Sequence, residues 1–108
     1  MKIAQSVAAL FALIMAAAIA YAFAVGDFSG EGAKMLAMPW GIVSLLDVYV
    51  GFLLFCGWVF YREKSGVAAL VWTVAILILG NMLTAIYVVL AVRACGGDWK
   101  RFWLGARA

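Results

Sequence analysis

Residues 39–65, PWGIVSLLDVYVGFLLFCGWVFYREKS, decide how this chain is built. A helix that crosses a bilayer needs about 20 mostly apolar residues. The run from Met35 to Tyr61 exceeds that length with Asp47 as its only charge. Pro39 suits a first helical turn, where its missing N–H satisfies no intrahelical bond anyway, so it reads as a start and not as a kink. Arg62 to Ser65 then reads as a tight turn into another uncharged run, Ser65 to Val92. On the other side, Ile3 to Gly26 is a third such run, separated from the second by the polar, Gly-rich GDFSGEGAK of Gly26 to Lys34.

These runs predict an all-α integral membrane protein with three transmembrane helices. Residues 1–26 form the first helix, 27–34 a polar loop, 35–92 a helical hairpin turning at 62–65, and 93–108 a basic, aromatic interfacial tail. Composition agrees, because 69% of the 108 residues are hydrophobic and 12% are charged, against about 45–50% and 25% in a soluble domain. The chain has no histidine, which removes histidine-ligated haem or zinc and every Ser-His or Cys-His nucleophile.

The first run also fits a secretory signal, with Lys2, an apolar middle and Ala22-Phe23-Ala24 as a cleavage site. Alanine at 4, 8, 12, 16, 20 and 24 argues for retention, since such a ladder lets another helix backbone approach closely and a discarded signal needs none. The basic residues give conflicting orientations for three spans. Lys2, with Asp27 and Glu31 beyond the first helix, places the 62–65 turn in the cytoplasm, whereas Arg93, Lys100, Arg101 and Arg107 then lie outside.

Asp47 is the residue a bland anchor would not carry. At seven residues beyond Trp40 it lies roughly 10 Å into its helix, where a charge costs about 2.5–3.5 kcal/mol and needs a partner. Folding the hairpin about Glu63 brings Asn81 to nearly the same depth. Ser44, Asp47 and Gly51 share one face, Asn81 and Thr84 share another, and Gly80 with Thr84 forms a small-xxx-small pair. The site reads either as interhelical fastening or as a proton-responsive carboxylate. Cys56 and Cys95 are too far apart along continuous helices to pair, and neither their spacing nor that of Met35 and Met38 indicates a metal site.

Trp40, with Trp99, Lys100, Arg101 and Trp103 of the tail, reads as interfacial anchoring. The basic residues are dispersed over short segments, so the expected partner is the lipid bilayer, with no nucleic acid. No cofactor is indicated.

The stretches PWGIVSLLDVYVGF from Pro39, GWVFYREKS from Gly57, LGNMLTAIYV from Leu79 and GDWKRFWLG from Gly97 resemble domain-of-unknown-function family 1475. The Pro-Trp, Asp-x-Tyr, Tyr-x-Glu and Gly-Asn elements fall on Pro39 and Trp40, Asp47 and Tyr49, Tyr61 and Glu63, and Gly80 and Asn81. The resemblance covers Pro39 to Gly105 and implies an all-helical membrane protein without an assigned activity. The expected function is a non-enzymatic helix-packing or accessory subunit of a homo-oligomer or larger membrane complex. The alternative is an oligomeric channel or proton-linked transporter subunit that uses Asp47.

Overall fold

The computed structural model describes residues 2–107; Met1, expected to begin the first helix, and Ala108 of the tail lie outside the described residues. Six helices follow in order: α1 (Lys2–Val25), α2 (Phe28–Ala37), α3 (Pro39–Arg62), α4 (Gly66–Leu79), α5 (Asn81–Ala94) and α6 (Trp99–Leu104), with a closing 3₁₀ turn at Gly105–Arg107. Among the described residues all regular structure is helical.

The local causes are readable. Pro39 opens α3 and forces Met38 before it into an extended conformation, φ −100° and ψ 128°. That residue separates α3 from α2. The segment expected as a polar loop is thus largely helical: Glu31 Oε1 accepts a 3.0 Å hydrogen bond from the Asp27 N–H at the helix start, and Lys34 lies in the last turn. Phe28 and Leu36 remain exposed on it. The 62–65 turn is where the sequence puts it, and the Ser65 hydroxyl accepts from the Ala68 N–H to cap α4.

The third apolar run departs from expectation. It folds as two helices of 14 residues each, about 21 Å long, divided at Gly80 with φ 70° and ψ −142°. That conformation is open essentially to glycine alone, so the apolar pattern runs through a position where the backbone reverses. α5 returns beside α4. Its end, Ala94 and Cys95, borders the same cleft as Arg62 and Lys64, and the reversal tip meets Phe52 of α3. Among the described residues, only α1 and α3, at 24 residues each, are long and apolar enough to cross a membrane.

The link from Gly26 to Met38 can span about 25 Å at most, whereas α3 is about 36 Å long. α1 therefore ends near the start of α3 and runs antiparallel to it. It packs along α5 through the first part of the alanine ladder, with Ala8 buried and Ala4, Ala12 and Ala16 half-buried; Ala20 and Ala24 are exposed beyond the tip. The core lies at the other end, among Phe52, Cys56 and Val59 of α3, Ala69 and Ile76 of α4, Tyr87, Ala91 and Val92 of α5, Cys95, and Phe102 of α6. The molecule measures 45 × 25 × 22 Å. We call the end holding the 62–65 turn the base and the end holding α2 the far end.

Candidate functional site

Arg62 is the buried charge of the structure, 8% exposed although it is the last residue of an apolar helix. The chain assembles a box around it. Its Nε donates to the Phe102 carbonyl oxygen at 2.6 Å and its Nη1 to the Tyr87 hydroxyl at 2.7 Å. The Tyr87 hydroxyl in turn donates to Glu63 Oε1 at 2.8 Å, so one phenol links neighbouring residues of opposite charge. The guanidinium carbon stands 5.3 Å from the Trp58 ring centre and 5.4 Å from that of Tyr87, within reach of cation–π attraction.

The rings are themselves fixed by edge contacts. Tyr87 meets Trp72 at 5.0 Å, Phe55 at 5.8 Å and Trp58 at 5.9 Å, all nearly perpendicular. Trp58 Nε1 donates to the Trp103 carbonyl oxygen at 3.0 Å. Gly105 lies against the Arg62 backbone so closely that a β-carbon there would stand 2.6 Å from the Arg62 carbonyl oxygen. Arg107 stacks over Tyr61 at 4.6 Å and donates from Nε to its carbonyl oxygen. α5 through Tyr87 and α6 through Phe102, both distant in sequence, therefore converge with Trp58 of α3 on one guanidinium.

A polar cleft of about 490 Å³ opens beside this box, lined by Arg62, Glu63, Lys64, Arg101 and the Ala94–Cys95 corner, with Gly105 and Ala106 completing it. The box and cleft were not anticipated from sequence. Arg62 and Glu63 belong there to the 62–65 turn, and Tyr87 lies unremarked within the uncharged run Ser65 to Val92. Reading Gly80 as a reversal would have exposed the arrangement, since Trp72 lies eight residues before it and Tyr87 seven after it.

The expected polar pair falls apart for the same reason. Asp47 is exposed on α3 without a hydrogen bond or ion pair among the described residues, and Ser44 donates to the Trp40 carbonyl oxygen at 2.9 Å. Asn81 and Thr84 instead face α1 across an apolar groove of about 620 Å³ that also includes Ala8, Phe11 and Met15. Thr84 Oγ1 is buried there without a partner. Gly80 forms the reversal and not a packing pair, while Gly51 is exposed with open space at its α-carbon.

Trp40 is exposed at the far end. Trp99, Lys100, Arg101 and Trp103 sit on α6, which Asp98 caps by accepting from the Lys100 N–H; that helix docks on the base through Phe102 and is more than a loose surface tail. Cys56 and Cys95, expected at widely different depths, share one core, where the Cys95 thiol donates to the Val92 carbonyl oxygen at 2.9 Å.

Residues 2–97 match the family described as "Protein of unknown function (DUF1475)". The chain belongs to that family; the match takes in α1 and the resembling region from Pro39 as far as Gly97, and stops short of the GDWKRFWLG stretch beyond it. No curated protein and no solved structure matches it.

Proposed function

We propose that this member of the DUF1475 family is a small multi-pass membrane protein that acts, without enzymatic activity, as a helix-packing or accessory subunit of a homo-oligomer or larger membrane complex. In this reading α1 and α3 cross the bilayer, while α4 and α5 enter and leave from one side. Apolar α1 and α3 are only 6% and 17% buried over their most apolar windows, which fits lipid contact far better than a soluble core. Returning the chain at Gly80 also supports one orientation. Lys2, Arg62, Lys64, Arg93, Lys100, Arg101 and Arg107 gather at the base and Lys34 alone lies at the far end. The positive-inside tendency then supports a cytoplasmic base.

Asp47 is the observation that carries the subunit role. It lies about 12 Å into α3 from Pro39, above the hairpin tip, exposed and unpaired. A carboxylate at that depth requires a partner or water. A second helix surface provides that partner. Asp47→Asn should keep self-association or co-purification in mild detergent, and Asp47→Leu should weaken it by about 1 kcal/mol, roughly fivefold in affinity. A wild-type chain that is monomeric and purifies alone overturns the subunit reading. The exposure of Asp47 favours one second reading, a water-lined path past it in an oligomer. Proton or ion flux in liposomes that is present in the wild type and absent in Asp47→Asn would establish it over simple fastening.

A further inference from the structure

Among the described residues, the cleft at the base carries an excess of positive charge. Arg62, Lys64 and Arg101 line it together with one acid, Glu63, and no ion pair forms among the described residues. Glu63 is drawn instead to the Tyr87 hydroxyl. Arg62 is held by bonds from Nε and Nη1, while Nη2 makes no hydrogen bond within the described structure. Among the described residues the side-chain polar atom sealed off without a partner is Thr84 Oγ1; Nη2 keeps solvent access, and Arg62 lines the cleft. An immobilised guanidinium with free donors suits the planar, multidentate recognition of phosphate oxygens. Lys64 and Arg101 are exposed and able to close on such an anion from either side.

We propose that this cleft binds a phosphate group, carried by the headgroup of an anionic phospholipid in the leaflet at the base. The lipid source rests on the membrane reading above, and the phosphate chemistry stands without it. The setting supports a lipid. Basic pockets between membrane helices on the cytoplasmic side commonly take anionic headgroups, and exposed Trp99 and Trp103 flank Arg101 on α6, as rings do at headgroup depth. Neither α6 nor its arginine reaches this position unless the chain turns back at Gly80.

Native mass spectrometry of the detergent-purified chain tests the proposal with dioleoyl phosphatidic acid against dioleoyl phosphatidylcholine. The acidic lipid should bind the wild type roughly tenfold more tightly, and Lys64→Gln with Arg101→Gln should abolish that preference. Lys34→Gln with Arg93→Gln removes the same charge outside the cleft and should preserve it. Equal binding of the two lipids, or equal loss in both double variants, overturns the proposal. A separate titration with inorganic phosphate, followed by tryptophan fluorescence, distinguishes the source. Saturable phosphate binding that requires Lys64 and Arg101, without a lipid preference, keeps the phosphate site and overturns the lipid. Both arms are read on the purified chain and need no knowledge of which side of the membrane the base faces.

Discussion

Tyr87 concentrates several roles in one side chain. Its ring packs against Trp72, Phe55 and Trp58, and its hydroxyl accepts from Arg62 and donates to Glu63. Two substitutions separate these roles. Tyr87→Phe keeps the ring and leaves Arg62 Nη1 without its acceptor in a buried setting, which should cost about 1–3 kcal/mol. Tyr87→Ala also removes the ring and should cost more, about 3–5 kcal/mol. Thermal unfolding in detergent, read by the reactivity of buried Cys56 and Cys95, checks both. Identical melting of the Phe variant and the wild type would show that the hydrogen-bonded chain contributes nothing to stability. This residue was illegible in sequence because its importance depends on what lies beside it. A tyrosine in an apolar run is ordinary until a reversal carries it to Arg62.

At the scale of elements, the chain's own punctuation set most boundaries. Pro39, the Arg62–Ser65 turn and the Ser65 cap are short-range signals, and each acts through backbone chemistry at its own position. Gly80 is a signal of the same kind that was legible in principle. It lies inside an uncharged run long enough to cross a bilayer, and neither length nor hydropathy registers the conformational freedom of one glycine. Such criteria measure how apolar a segment is and are blind to its direction. Gly80→Ala should therefore destabilise the chain by about 1–3 kcal/mol, because a β-carbon is strained at φ 70° and ψ −142° and would stand 3.3 Å from Phe52 Cζ. Gly51→Ala, with open space at its α-carbon, should melt like the wild type. If both variants melt alike, Gly80 does not hold the reversal.

For the molecule as a whole, helical class and the apolar character of α1 and α3 follow from composition and run length, whereas topology depends on a single change of direction. A continuous third span would carry Arg93, Lys100, Arg101 and Arg107 to the end opposite Arg62. The reversal instead collects them at the base with Lys2 and Lys64, leaving the far end with Asp27, Glu31 and Lys34. The two arrangements make opposite predictions for a single pair of positions. In a variant whose Cys56 and Cys95 are replaced by alanine, a cysteine at Ser65 and one at Ala106 should react with a membrane-impermeant maleimide from the same side. A cysteine at Ser29 should react from the other. Ser65 lies in the turn and Ala106 beyond α6, both exposed, and Ser29 is exposed on α2. In the proposed topology the Ser65 and Ala106 side is cytoplasmic by the positive-inside tendency, so intact cells should label Ser29 alone and inverted vesicles the other two. Labelling of Ala106 together with Ser29 would restore a third full span and separate the C-terminal segment from Arg62. The box and the cleft would then not exist in the membrane, since Phe102 and Arg101 reach Arg62 only from the same side.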